Sequence, residues 1–155
     1  MTHYTIRPAT MADVPIIIHH RHAMFTEMGL AGDYEALDKD FRQWLQQALV
    51  NQGYYGWMVE TAAGEIVGGG GLSLLPRPPS PQDLNHHLAF VYNVYTEPAH
   101  RRQGLARRIM ETIHQWCRER GLKTVALHAS EFGRPLYEAM GYELTHEMRL
   151  SLEEN

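Results

Sequence analysis

Cysteine is almost absent. Cys117 stands alone among 155 residues, so no internal disulfide can form and a reducing cytoplasm is the expected home. Long apolar runs are missing as well. No stretch approaches the roughly 18–20 apolar residues that a membrane helix needs, and Met1 to Arg7 lacks the charged-then-apolar order of a signal peptide. Positive charge is not in excess: 14 Lys and Arg stand against 18 Asp and Glu, a formal charge of −4 with ten neutral histidines. That balance argues against nonspecific nucleic-acid binding, which wants a basic face. Internal repeats are lacking too. The length suits one domain, residues 1–155, able to bury a core without staples.

What is present reads as alternating strands and helices. Tyr4 to Arg7 is a short strand, and Thr10 with Asp13 resembles a capping box that opens a helix over Met11 to Met28. A second helix is expected over Tyr34 to Asn51, where Leu37, Phe41, Trp44, Leu45 and Ala48 form one apolar stripe. Tyr54 to Thr61 and Ile66 to Leu75 read as a hairpin around Ala62-Ala63-Gly64-Glu65. Gly68 to Gly71 lie inside the second of these strands. A glycine run can cradle phosphate when a helix follows it, but Leu72-Ser73-Leu74-Leu75 continues as strand. A bulge or a close backbone approach is therefore the favoured use.

Pro76 to Asn85 is a proline-rich loop. The near-continuous apolar run from Leu88 to Thr96 predicts a central strand covered on both faces. A helix then begins near Gln103 or Gly104 and runs to about Arg120, burying Leu105, Ile109, Ile113 and Trp116, with Met110 and Cys117 beside them. A strand over Lys123 to Ala129, a short helix over Arg134 to Met140, and a last strand over Tyr142 to Leu152 complete the order. This is a mixed α/β pattern.

The chemistry concentrates where the central strand meets the following helix. A helix start carries unpaired N–H groups and partial positive charge, a ready anion site. Gly104 and the small Ala106 leave the backbone open to a phosphate, while Arg101, Arg102 and Arg107 add fixed charge. Taken alone, the same residues also describe a plain strand–loop–helix joint with a solvated basic end.

Three pieces of sequence lift this ambiguity. Thr96-Glu97-Pro98-Ala99-His100-Arg101-Arg102-Gln103-Gly104-Leu105-Ala106 resembles the signature of the GCN5-related N-acetyltransferase (GNAT) superfamily: Arg or Gln, two residues, Gly, one residue, then Gly or Ala. Arg134 to Tyr142 is similar to the family's late helix and turn, and Ile6-Arg7-Pro8-Ala9-Thr10 with Asp13 to its opening. The pieces lie in family order, from Tyr4 to about Leu150.

The resemblance implies an α/β (α+β) GNAT fold: a single mixed, mostly antiparallel sheet with splayed central strands, flanked by helices. It implies an N-acetyltransferase that moves an acetyl group from acetyl-coenzyme A, as cosubstrate, to a primary amine by direct attack. The cosubstrate would pair with the backbone of Val94, Tyr95 and Thr96. Its pyrophosphate would sit on Arg101, Arg102, Gln103, Gly104, Leu105, Ala106 and Arg107. Tyr137 matches the position that protonates the departing thiolate. No metal is required. The acceptor is expected to be a small-molecule or peptide amine, with neither nucleic acid nor membrane as partner, and a homodimer is compatible with this reading. A non-catalytic acyl-coenzyme A binding or sensing module on the same fold is the alternative. A nucleotide-phosphate site is a weaker rival, because the Gly-Lys-Ser/Thr ending of a P-loop is missing.

The general base stays open among Glu97, His87 and His128, or water alone, with Asn93 able to orient an acceptor but not to take its proton. Cys117 reads as a buried inert thiol rather than a nucleophile. His19 and His22 have the spacing of a metal pair but no third ligand in sequence, so a solvated helix face is the simpler account. Glu27, Asp33, Glu35, Asp38 and Asp40 make the first two helices acidic, which would suit a cationic acceptor or simply a solvated surface.

Overall fold

The computed structural model describes residues 3–153. Five strands form one sheet in the order β1-β2-β3-β4-β5. They are β1 (Tyr4–Pro8), β2 (Tyr55–Thr61), β3 (Ile66–Pro76), β4 (His87–Thr96) and β5 (Val125–Leu127). The first four pair antiparallel with their neighbours, and β4 pairs parallel with β5. The helices are α1 (Val14–Glu27), α2 (Tyr34–Val50), α3 (Leu105–Glu119) and α4 (Arg134–Ala139). The expected mixed, mostly antiparallel sheet with flanking helices is what forms.

Both faces of the sheet are covered, each by its own apolar cluster. On one face Val14, Ile17 and Ile18 of α1 and Phe41, Leu45 and Ala48 of α2 pack on Tyr54 and Met58. On the other, Leu105, Ile109, Met110, Ile113 and Cys117 of α3 pack on Val59, Val67, Leu72, Ala89 and Val91. Spacings of three and four residues along each helix put these side chains on one stripe. Trp116 sits at the margin of the second cluster, tilted against Tyr55 and capped by the Arg120 guanidinium 3.7 Å above its ring.

The entry to α1 is a single 3₁₀ turn over Met11–Asp13. Asp13 is buried and accepts from the Thr10 backbone N–H at 2.7 Å, while Arg7 grips both its oxygens at 2.8 and 2.9 Å. That guanidinium holds the Asp13 carboxyl below the usual range. The pair ties β1 to α1.

The glycines of β3 serve close approach. A Cβ on Gly71 would fall 2.6 Å from the Tyr55 carbonyl oxygen and within the Tyr54 ring, and one on Gly70 would fall 2.9 Å from Ile109. The ladder to β4 also shifts register between Gly69 and Gly71, so bulge and close approach coincide.

Two expectations need correcting. The strand expected over Lys123 to Ala129 pairs only at Val125–Leu127, because only Ala89, Phe90 and Val91 of β4 lie opposite it. The strand expected over Tyr142 to Leu152 does not form: among the described residues no ladder partner lies beside it, so an alternating pattern is present without a sheet to receive it.

Candidate active site

The divergence of β4 from β5 creates the site. Their ladder ends at the pair Val91–Leu127, whereas β4 continues to Thr96. From Tyr92 onward the β4 edge that faces β5 has no strand to bond among the described residues. Val94, Tyr95 and Thr96 lie on this freed length, as expected of splayed central strands. The strand is kinked where the splay begins: Asn93 has φ 62, a left-handed value that β-strand residues avoid.

Asn93 is buried and fully engaged at the kink. Its Nδ2 donates to the Tyr54 hydroxyl at 3.2 Å, and its Oδ1 accepts from Arg21 Nη1 at 2.7 Å. Burial pushes the Tyr54 hydroxyl up to about 12 and lowers the Arg21 guanidinium. The Arg21 guanidinium also lies 4.6 Å from the Phe25 ring centre and 5.0 Å from that of Phe41. Asn93 therefore braces the strand; its amide is not free to orient an acceptor.

Beyond Thr96 a 3₁₀ turn over Pro98–His100 leads to α3. Arg102 (φ 63) and Gly104 (φ 74) both take left-handed conformations, the kind of turn in which successive N–H groups can form an anion-binding concavity. The first intrahelical bond is Arg108 N–H to the Gly104 carbonyl. The backbone amides from Arg102 to Arg107 thus have no acceptor among the described residues, the condition for an anion site. A Cβ on Gly104 would meet nothing within 4 Å, so glycine is set here by its φ rather than by crowding within the fold. Tyr4 pins the loop from β1: its hydroxyl lies 2.8 Å from His100 Nδ1 and donates to Gln103 Oε1 at 3.1 Å.

The side chains of this segment divide. Arg102 is exposed, and Arg107 lies 4.0 Å from Glu111. Arg101 turns the other way, with Nε donating to the Thr96 carbonyl at 2.8 Å and Nη2 bonding both Glu27 oxygens at 2.8 Å. Its guanidinium is committed to α1 and the end of β4, not to the free amides.

A polar cluster missed by sequence reasoning lies at that same end of β4. Glu97 Oε1 is 2.9 Å from His19 Nε2 and 3.8 Å from His20 Nε2. His20 is buried, its ring centre 5.2 Å from that of Tyr95, and its Nε2 has no hydrogen-bond partner. Burial, aided by His19, pushes the His20 imidazole down to about 4. The adjacent pair His19-His20 was the available signal, but spacing alone could not say which of the two turns inward. Of the other base candidates, His87 is exposed at the opposite end of β4, and His128 is bonded to Glu147 at 2.7 Å. His22 is paired with Asp38 at 2.8 Å, so it and His19 point to different partners rather than to one ion.

Tyr137 is half-buried on α4, its ring edge-on to Tyr142 with centres 5.7 Å apart. Desolvation raises its hydroxyl above the ordinary tyrosine value, which favours the protonated form. It lines a cavity together with α3 and β5 residues; no residue of β4 or of the 101–107 loop contributes to that wall. Cys117 lines it too, buried, its thiol pushed up to about 11, the state of an unreactive sulfur.

Residues 17–142 match the Acetyltransferase (GNAT) family. The chain belongs to the GNAT acetyltransferase family. It is 32% identical over 143 residues to the uncharacterized N-acetyltransferase YjgM of Escherichia coli (strain K12), covering 89% of this chain and 81% of that one. Among solved structures it resembles a GCN5-related N-acetyltransferase from Ralstonia eutropha JMP134, with TM-score 0.92, 34% identity, and coverage of 97% and 99% of the two chains. A predicted acetyltransferase from Clostridium acetobutylicum, solved with acetyl-CoA, shares the fold at TM-score 0.89 and 24% identity over 97% of each chain. GNAT membership and relatives named N-acetyltransferases support acetyltransferase activity with acetyl-CoA as the family's cosubstrate. No described helix is long and apolar enough to cross a membrane.

Proposed function

We propose that this GNAT protein transfers the acetyl group of acetyl-coenzyme A to a primary amine by direct attack, with Tyr137 as the general acid. The observation that carries the reading is the continuity of two unpaired backbone stretches. The freed edge of β4 at Val94–Thr96, where only the Arg101 side chain reaches the Thr96 carbonyl, leads through the turn at Pro98–His100 into the unbonded amides of Arg102–Arg107. An extended amide-bearing arm suits the first and a pyrophosphate suits the second. The Clostridium acetobutylicum protein that shares this fold was solved with acetyl-CoA, so the fold is one that holds this coenzyme.

On this reading the amine nitrogen attacks the thioester carbonyl, the tetrahedral intermediate collapses, and the C–S bond breaks. Tyr137 delivers a proton to the departing thiolate; desolvation keeps its hydroxyl protonated, as a donor must be. Backbone N–H groups of β4 are the donors available to the oxyanion. Glu97, at the end of the freed strand and bonded to His19, is the base this geometry favours for the acceptor ammonium. Of the acidic side chains on the first two helices, Glu27 is paired with Arg101 and Asp38 with His22. The acceptor is a small-molecule or peptide amine.

Free-thiol release over a panel of amines tests the proposal, alongside thermal melts with coenzyme A. At 100 times its dissociation constant a ligand adds about 2.7 kcal/mol of stability. Stabilisation together with amine-dependent thiol release is the expected result. Stabilisation without release for any amine would assign the chain to acyl-coenzyme A binding or sensing instead, and no stabilisation would remove the coenzyme.

A further inference from the structure

Three arginines are partly buried among the described residues: Arg7, Arg21 and Arg77. A charge drawn out of water is costly unless an opposite charge offsets it. Arg7 has Asp13 and Glu60, and Arg77 has Asp83. Arg21 pairs with no carboxylate among the described residues. Its one hydrogen bond there is the one that Nη1 donates to Asn93 Oδ1 at 2.7 Å. The acidic side chains close by in sequence are held elsewhere: Glu27, on the same helix, by Arg101, and Asp38 on α2 by His22.

The surroundings of the Arg21 guanidinium are neutral. The Phe25 and Phe41 rings flank it at 4.6 and 5.0 Å, and the hydroxyls of Tyr54 and Tyr92 are the titratable groups whose field it feels. Burial lowers its pKa, and no carboxylate counters that shift. Nε and Nη2 have no acceptor among the described residues, yet neither is sealed from solvent. A guanidinium presents its donors as a planar fork that matches the two oxygens of a carboxylate. With Nη1 taken by Asn93, the edge formed by Nε and Nη2 is open for such a pair.

This open edge stands at the splay of the sheet. Asn93 directly precedes Val94, the first residue of the freed β4 length that would take the coenzyme arm. An anion held on Arg21 therefore lies on the α1 side of β4, at the level where the acetyl group would be presented. A compact molecule with an amine and a carboxylate a few bonds apart suits that placement. A polyamine has no anion to offer Arg21.

We infer that Arg21 binds the carboxylate of the acceptor, so that the amine acetylated is that of an amino acid. This rests on the acetyl-transfer reading for the reaction, whereas the anion site rests on the surroundings of Arg21 alone. Nε and Nη2 donate to the two carboxylate oxygens while Nη1 keeps its bond to Asn93. The flanking aromatic rings lower the local dielectric and so strengthen the ion pair.

Thiol release and calorimetric binding, both with the full chain, test it on the standard L-amino acids and their carboxamides. A carboxamide keeps the amine and the side chain but presents no anion. At least one amino acid should exceed its carboxamide in kcat/KM by about 100-fold, the scale of a charge-assisted hydrogen-bonded pair. It should bind with the same preference in the presence of coenzyme A. Arg21→Gln should treat acid and carboxamide alike. A loosened β4 kink would slow both acceptors together and cancel from that ratio, so lost recognition is told apart from lost structure. Arg21→Lys keeps the charge without the fork and should retain part of the preference. Carboxamides used as well as the acids overturn the inference, as does a preference that survives in Arg21→Gln, or the failure of every acid to bind. An acid that binds through Arg21 without thiol release keeps the carboxylate site and overturns acetyl transfer instead. If Arg21→Gln does not fold, the wild-type comparison of acid with carboxamide decides alone.

Discussion

Arg21 and Asn93 meet across 2.7 Å, guanidinium Nη1 to amide Oδ1, and this bond ties α1 to the kink of β4. The kink is where the sheet opens toward the site, so the bond links the stability of the fold to the shape of the cleft. Asn93→Ala removes the partner of both Arg21 and Tyr54 and leaves alanine at φ 62. The expected loss is about 3 kcal/mol, from buried groups left unpaired plus left-handed strain. Asn93→Gly loses the same bonds without the strain, and should be milder by about 1 kcal/mol. Urea unfolding of the two variants checks the order; equal losses would show that the backbone is not strained there.

The close approach at Gly71 makes a second prediction. Its added Cβ would sit 2.2 Å from the Tyr54 hydroxyl and 2.6 Å from the Tyr55 carbonyl oxygen. Backbone cannot yield as a flexible side-chain end can. Gly71→Ala should therefore cost about 3 kcal/mol through overpacking. Gly32→Ala, where nothing lies within 4 Å, is the control and should stay within about 0.5 kcal/mol of wild type. A melt that moves equally for both would remove packing as the reason for glycine in β3.

Most of the frame was legible from local pattern. The stripes on α2 and α3, the capping pair Thr10 and Asp13, the central strand and the helix start at Gly104 each depend on residues within a few positions of one another. What was not legible depends on distance along the chain. The motif alone makes Arg101 a phosphate ligand, but Glu27, 74 residues earlier, holds its guanidinium. His20 was one of two adjacent histidines, and only the packing of α1 on Tyr95 shows that it is the buried one. The pattern over Tyr142 to Leu152 reads as strand, yet alternation reports a buried face and says nothing of which sheet supplies it.

The two halves of the proposed reaction should separate by mutation. Arg102→Ala removes a charge beside the unbonded amides and should weaken coenzyme A binding about tenfold, or 1.4 kcal/mol, as read by titration calorimetry. Tyr137→Phe removes only a hydroxyl from α4. It should lower turnover about 100-fold, the scale of a lost general acid, while coenzyme affinity stays within about twofold. Unchanged turnover in Tyr137→Phe would take the hydroxyl out of the chemistry, and unchanged affinity in Arg102→Ala would leave binding to the backbone alone.

His20 predicts the acid limit of the fold. The imidazole is neutral and buried, with its folded-state pKa at about 4 against an ordinary 6.5. Between those values the unfolded chain binds a proton that the folded chain refuses. Stability must then fall as pH falls through that window, and the sign is fixed because the unfolded state is the one that gains. A shift of this size corresponds to about 3 kcal/mol lost by pH 4 relative to pH 7. Glu97 faces the ring at 3.8 Å and His19 lies beside it with ring centres 5.9 Å apart. Asp13 adds a separate loss only below the ordinary carboxylate range, because its folded-state pKa is lowered by Arg7. His20→Phe keeps an aromatic ring against Tyr95 but binds no proton. Its melting temperature should fall less than the wild type's between pH 6.5 and pH 4. Parallel curves for the two proteins would show that another group sets the limit.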